Sequence, residues 1–474
     1  MHVVTNANRT RQEADSVGIK EVPAHAYYGV QSLRAVENFP ITGNPMITPM
    51  IHSLALLKKA CAIANKDANV LSKQVAEAII AACDDVCAGK LHDQFVVDPI
   101  QGGAGTSMNM NINEVIANAA IEKLGGSLGD YTLVHPNDHV NRGQSTNDII
   151  PTAGKMTAIA LLQPLLENLT ELEQAFARKA EEFAAVIKMG RTQLQDAVPV
   201  RLGQEFAAYA AAVHRCRKRI ENAQKELYAI NMGGTAIGTG INADLTYYNN
   251  IIRVLSELTD VPFCRAEDML DGTQHIDCFA AVSGALKDCA LALSKICNDL
   301  RLMSSGPRTG FGEINLPARQ NGSSIMPGKI NPVIPEVVNQ VAFRVVGNDL
   351  TISMAVEAGQ FELNAFEPVV FDALFQSITI LTNAVKTLQV NCVEGITANA
   401  ERCSQLLDSS VGTITAACPY IGYAQAAVLA KESLKTGVPV RKLLVERQLL
   451  TEEQTARILD AFSMTKPGIP GKSE

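Results

Sequence analysis

A seven-residue apolar repeat recurs in four separate stretches of this chain. Leu162, Leu169, Phe176 and Phe183 follow it, with Leu165 and Leu172 between them. So do Phe206, Val213, Ile220 and Leu227, then Phe279, Leu286, Leu293 and Leu300, and later Leu374, Leu381 and Leu388. A sustained heptad is the period of long helices packed at shallow angles. A fifth long helix is expected from Pro332 onward, and five such segments make a long bundle. Almost nothing alternates with period two, so no large sheet is expected. From about Ile51 to Gly89 the chain reads as two further helices. Beyond about Glu401, shorter helices with Gly-Val-Pro and Pro-Gly breaks read as a small terminal domain.

With 474 residues, 47% of them hydrophobic, the chain has ample material for a large core. A net charge of −8 leaves no electrostatic footprint for nucleic acid. The first forty residues lack the apolar segment of a secretory signal, and no run is apolar for the length of a membrane span. Eleven cysteines stand mostly at helical apolar positions, without the spacing of a zinc site. They read as reduced, buried thiols in a cytoplasmic enzyme. No metal and no cofactor is expected.

The helices are interrupted by polar loops. From Ser304 to Glu336, glycines at 306, 310, 312, 322 and 328 and prolines at 307, 317, 327, 332 and 335 leave no room for an ordinary element. A loop of that length is functional or disordered, and Ile314, Leu316, Ile325, Met326 and Ile330 argue against disorder. It reads as a lid carrying two hydroxyls, a lysine and an amide. Gln101 to Asn111 reads as a glycine-rich loop leading into a helix from about Asn113. Ser145-Thr146-Asn147-Asp148 is a good helix cap and also a set of neutral donors. Gly190 to Ala197 reads as a connection between helices. Gly233 to Gly240 lacks the spacing and the lysine of a nucleotide loop. His135 to Asn141 reads as a turn in which Asn and Asp bond their own backbone.

Taken singly, each loop is an ordinary turn or cap. Together they supply neutral donors around Thr106, Ser145, Thr192 and Ser323, plus one cation, Lys329. That inventory suits a dicarboxylate. It also suits removal of a proton alpha to a carboxylate, which builds a dianionic aci-carboxylate. Preorganised donors stabilise such an ion, each by about 2.7–4 kcal/mol.

At this point a family resemblance becomes specific. Gly-Ser-Ser-Ile-Met-Pro-Gly-Lys-Ile-Asn-Pro at 322–332 resembles the signature of the fumarase/aspartase superfamily. Tyr27 to Gln31, Gly105-Thr106-Ser107, Asn109-Met110-Asn111, Ser145 to Asp148, Gly190-Arg191-Thr192 and Pro419 to Tyr423 extend it in order over nearly the whole chain. Met108 and Ala119 depart from the family's usual residues. The resemblance implies a mainly α, three-domain lyase with a long central five-helix bundle. The bundles of a homotetramer would form a twenty-helix core, with each active site shared by three subunits. The domains would be 1–146, mostly helical; 147–401, the bundle with the 304–336 loop; and 402–474, small and helical.

The resemblance also assigns roles. Ser323 would be the general base that takes the Cβ proton. Thr106, Ser145, Thr146 and Ser324 would hold the β-carboxylate. Lys329 and Asn331, with Thr192, would hold the α-carboxylate. Asn147 and Gln193 would face the amino group, since an amide carbonyl accepts from an ammonium. Fumarases typically carry His where Gln193 stands. The implied activity is therefore an ammonia-lyase acting on L-aspartate, releasing fumarate and ammonia, with no nucleic-acid or membrane partner. Fumarate hydratase is the alternative, and a non-enzymatic structural protein akin to lens crystallins is the third. His135 to Asn141 resembles a second dicarboxylate site of fumarases, but a turn accounts for it adequately.

Overall fold

The computed structural model describes residues 9–472. A hairpin of β1 (Thr10–Asp15) and β2 (Gly18–Pro23) leads into α1 (Val30–Asn38), α2 (Thr48–Asp67), α3 (Lys73–Cys87) and α4 (Thr106–Lys123). The long α5 (Thr146–Glu182) follows, then a second hairpin, β3 (Ile187–Thr192) and β4 (Gln195–Arg201), then α6 (Leu202–Gln224). β5 (Ala229–Ile230) pairs in parallel with β6 (Cys264–Arg265) around α7 (Leu245–Thr259). After the single-turn α8 (Asp271–Gln274) come α9 (Asp277–Met303), β7 (Ile314–Asn315), α10 (Val333–Glu357), α11 (Glu367–Asn391) and β8 (Thr397–Ala398). The chain continues through α12 (Ala400–Ser409), α13 (Cys418–Ile421), α14 (Tyr423–Thr436), α15 (Val440–Glu446) and α16 (Glu452–Ile458). Every sheet among the described residues has two strands, as the missing alternation implied.

The chain forms two compact units. One takes in the chain up to Leu166 together with Lys218–Asp288 and Phe343–Thr382; the other takes in Glu167–Arg217, Cys289–Ala342 and the chain from Asn383 on. The five long helices α5, α6, α9, α10 and α11 each contribute a part to both units. Every heptad residue named above is at most 2% exposed. In the first unit, Phe279 meets Phe371 edge-on at 5.2 Å and Phe371 stacks on Phe375 at 5.6 Å. In the second, Phe206 sits among Phe176, Phe183 and Tyr209, with ring centroids 5.1–6.1 Å apart. The end of the chain has a cluster of its own, including Ile414, Leu429, Leu443, Leu444 and Ile458.

Two long helices are apolar enough to pass for membrane spans: Thr146–Glu182, and α11 with its extension to Gly395. Most of each apolar window is buried inside the fold, as expected of core helices. All eleven cysteines are free, and most are buried.

Three local expectations change. α4 begins at Thr106, seven residues before the expected start at Asn113. Asn109, Asn111 and Asn113 are therefore helical and buried, and each donates its Nδ2 to a partner outside the helix, contacts that override their weak helix preference. Gly190 to Ala197 is part of the β3–β4 hairpin. In the His135 turn, the histidines do the bonding: Nδ1 of His135 accepts from the N–H of Asn137 and Asp138, and Nδ1 of His139 from the N–H of His135. Met108 is buried and fits without disturbing the loop beside it, its N–H donating to Gln101 at 3.0 Å.

Gly154, inside α5, faces the Phe371 ring so closely that a Cβ there would lie 2.3 Å from the nearest ring carbon. Helix propensity alone favours alanine over glycine by about 1 kcal/mol. The overlap outweighs that gain, so Gly154→Ala is expected to destabilise by roughly 1–3 kcal/mol. Urea unfolding measures it, and a stabilised variant would mean that the ring moves aside freely.

Candidate active site

In the first unit, the Thr106 loop is shaped by three successive left-handed residues, Gly103, Ala104 and Gly105. Gly105 also lies against Ile150 of α5, where a Cβ would come within 2.8 Å of the side chain. The loop is held from below: Asp98 gathers the N–H groups of Ile100, Thr42 and Gly43, and Gln101 donates to the carbonyl of Asp98. Thr106 and Thr146 are each the first residue of a helix, where the backbone dipole favours an anion. Asn109, three residues into α4 from Thr106, reaches across to the other helix start: its Nδ2 lies 3.4 Å from Oγ1 of Thr146 and 3.2 Å from Oδ1 of Asn141.

The Ser145 turn is anchored by Asp148. This fully buried carboxylate accepts from the N–H of Ser145 at 2.9 Å, Thr235 at 3.1 Å and Gly233 at 3.3 Å. The glycine loop at 233–240 thus serves as a brace. Asn147 donates its Nδ2 to the carbonyl of Ala236 at 2.7 Å. That bond commits the amide's N–H side and turns its carbonyl oxygen to other partners. Beneath the turn, Lys58 of α2 donates to Oδ1 of Asn141 at 2.9 Å and Oε1 of Gln144 at 2.8 Å.

The second unit holds the remaining predicted residues. Thr192 ends β3 and pairs with Gln195, so Gln193 and Leu194 form a two-residue hairpin turn. Both have positive φ, +54° and +62°, a twist that suits a tight hairpin but strains residues with side chains. Thr192, Gln193 and Leu194 are exposed. The hairpin's base is fastened through charge. Glu313, with no exposed side-chain surface, takes Arg191 at 2.8 Å and Lys188 at 2.9 Å, and Lys188 also pairs with Glu205 at 3.0 Å. The Arg191 guanidinium lies over the Phe311 ring at 4.3 Å. Because Glu313 directly precedes β7, this cluster ties the Gln193 hairpin to the 304–336 loop.

That loop is pinched at its neck. The N–H of Gly322 donates to the carbonyl of Lys329 at 2.9 Å, and Nδ2 of Asn331 donates to the carbonyl of Gly322 at 2.7 Å. Only glycine fits at 322, where a Cβ would lie 2.3 Å from the Lys329 oxygen. Inside the pinch, Oγ of Ser323 accepts from the N–H of Ile325 at 3.2 Å and of Met326 at 3.1 Å. Ser324 and Lys329 are exposed. Lys329 and Asn331 border a cleft of about 440 Å³ with Ser304, Ser305 and Asn315.

Thr106, Ser145, Thr146 and Asn147 are thus brought together in one unit, and Thr192, Gln193, Ser323, Ser324, Lys329 and Asn331 belong to the other. The sequence reading missed Lys58, Asn141, Asp148 and Glu313, which organise these sets from below. Asp148 had a visible signal, an acid directly after a capping run; Lys58 had none, being one lysine of a pair on an apolar helix.

Burial pushes the Asp148 carboxyl up to about 7, against the pull of its N–H donors and of Lys58. The folded chain therefore holds a proton there that the unfolded chain has lost, and this stabilisation disappears as pH rises through the folded value. Between about pH 4 and about pH 7, the difference in unfolding free energy should move in favour of Asp148→Asn over wild type by roughly 4 kcal/mol. Denaturation at several pH values tests it; a flat difference would mean an ordinary carboxylate.

The chain matches known proteins over most of its length. The family model described as lyase matches residues 18–347, and the one described as fumarase C C-terminus matches residues 414–466. The chain is 54% identical over 462 residues to aspartate ammonia-lyase of a Bacillus species, covering 98% of this chain and 99% of that one. It is 48% identical over 469 residues to aspartate ammonia-lyase of Escherichia coli strain K12, covering 98% of each. Among solved structures, a fumarate lyase:delta crystallin from Brucella melitensis bound to cobalt superposes with a TM-score of 0.94 at 48% identity, over 97% of this chain and 100% of that one. A class II fumarase from Schistosoma mansoni gives 0.94 at 34% identity, over 96% and 99%. A heptad bundle, a glycine-pinched serine loop and a full-length match at about half identity converge: this chain belongs to the lyase family of the fumarase/aspartase superfamily.

Proposed function

We propose that this chain deaminates L-aspartate reversibly to fumarate and ammonia. The observation that carries the reading is the pinched loop. A serine hydroxyl is far too weak an acid to be a ready base near neutral pH, and two N–H groups aimed at Oγ of Ser323 are the means to stabilise its alkoxide. Ser323 then takes a Cβ proton, the electrons pass into the β-carboxylate as an aci-carboxylate, and they return to form the double bond as the C–N bond breaks. Ammonia leaves with the electron pair of that bond.

Thr106, Ser145, Thr146 and Ser324 hold the β-carboxylate in this scheme, and Lys329, Asn331 and Thr192 the α-carboxylate. Asn147 and Gln193 face the ammonium; the bond from Asn147 to Ala236 supports its part, since it leaves a carbonyl to accept. Relatives at 48–54% identity over nearly their full lengths carry the aspartate ammonia-lyase name, which favours ammonia over water as the leaving group. The free thiols suit the cytoplasm.

The site is proposed to complete itself between copies of the chain in a homotetramer. Phe343, Leu350 and Met354 on α10 are 68%, 63% and 65% exposed, a second apolar seam on a helix whose other face is already buried. An exposed seam at helical spacing marks an interface. Light scattering should give a tetramer, and a stable, active monomer would sink the shared-site scheme.

Fumarate absorbance with L-aspartate and L-malate in parallel separates deamination from hydration. Ser323→Ala should lower kcat by roughly 10²–10⁴-fold with melting nearly unchanged, because the lost step occurs only in the transition state. Lys329→Ala should raise KM as well, since its charge already acts in the ground state. Near-normal deamination by Ser323→Ala would remove the serine from the chemistry.

A further inference from the structure

Building on the proposed reaction, we propose that Lys58 is a positioning residue for the carboxylate half of the site: its buried ammonium fixes the turn bearing Ser145 and Thr146 and gives those hydroxyls a positive background.

Lys58 has no exposed surface, yet both of its hydrogen-bond partners are neutral amides, Asn141 and Gln144. An ammonium carries three donors, and burying one without a bonded anion is costly. A methionine would fill the same space at lower cost, so the charge itself calls for a use.

The hydrogen bonds converge on one oxygen. Oδ1 of Asn141 accepts from Lys58 and also from Nδ2 of Asn109 and Asn113, each at 3.2 Å. Nδ2 of Asn109 also points at Oγ1 of Thr146 at 3.4 Å. Because that oxygen accepts from below, the Thr146 O–H is left to donate outward to an anion. Nδ2 of Asn141 donates to the carbonyl of Gln144, which closes the turn before Ser145.

Other titratable groups face the ammonium: Cys61 on α2, Cys83 on α3, Asp148 on α5 and, through its bond to Cys61, Tyr247 on α7. Burial pushes the thiol of Cys61 up to about 12 and those of Cys83 and the Tyr247 phenol well up, so they stay neutral. Asp148 is the remaining acid, but burial raises its carboxyl to about 7 and three backbone N–H groups already bond it, so it is a weak counter-charge. Lys58 itself is drawn down to about 8 by desolvation, so a dianion forming nearby favours its charged form. The lysine is therefore suited to an ion whose charge grows during the reaction.

Two variants test this. Lys58→Met removes charge and donors; Gln144→Glu keeps the lysine and its bond but sets a carboxylate against it. Succinate probes ground-state dicarboxylate binding. The nitronate of 3-nitropropionate, planar and dianionic, probes the aci-carboxylate. In both variants kcat with L-aspartate should fall roughly 10- to 100-fold, the usual effect of losing an outer-shell partner. By calorimetry, the nitronate Kd should weaken roughly tenfold or more beyond any change for succinate. Parallel weakening of both ligands, or none, would overturn the proposal and leave Lys58 as a structural prop. Should Lys58→Met fail to fold, Gln144→Glu decides alone. Wild type that binds both ligands yet releases no fumarate would instead sink the aspartate reaction, a distinct result.

Discussion

Burial of the heptad seams constrains everything else in this protein. Residues such as Leu162, Phe206, Leu286 and Leu381 are sealed inside the fold, and a helix buried along such a seam has little room for a free polar side chain. Groups with chemistry are therefore displaced to helix ends and connections. Thr106 and Thr146 open α4 and α5, Gln193 tips the hairpin between α5 and α6, and Ser323 stands in the loop before α10.

Connections need their own fastening, and buried carboxylates provide much of it. Asp148 gathers backbone N–H groups from its own turn and from the 233–240 loop. Glu313 gathers two cations of β3, Lys188 and Arg191. Glu114 does the same for the Tyr27–Gly29 bend, accepting from the N–H of Gly29, Gln31 and Ser32. Such interactions add little net stability over apolar packing, but losing one partner is costly. Their value is geometric: each forces a loop into one arrangement.

This division explains what was legible in the sequence. Heptads are a period, so the long helices could be read directly; the glycines and prolines of 304–336 mark an irregular loop whatever surrounds it. Apart from Asp148, which directly follows a capping run, their fastenings are single residues whose partners lie far away in the chain, and no local pattern announces them. Lys58 sits 83 residues from Asn141, and Glu313 sits 122 from Arg191. The hairpin was hidden for another reason: Gln193 and Leu194 occupy positions where Asn-Gly is the usual signal. The start of α4 was misplaced because its asparagines favour turns when alone, and only tertiary partners make them helical.

The two sets of proposed site residues also differ in character, and the difference suits the tasks proposed for them. Ser145 and Thr146, proposed to hold a carboxylate, rest on a dense, buried network. Ser323 lies in a loop fixed only at its neck, with Ile325 84% exposed. In the proposed reaction an apolar residue so exposed would gain by closing onto a ligand-filled site, and closure would strip water from the serine as its proton leaves. A base that is weak in solvent and activated on closure protects against idle chemistry in the absence of substrate. On this view the glycine at 322 serves the reaction as directly as the serine beside it. Without its close approach to the Lys329 carbonyl, the neck cannot form, and the two N–H groups have no fixed place from which to meet the hydroxyl.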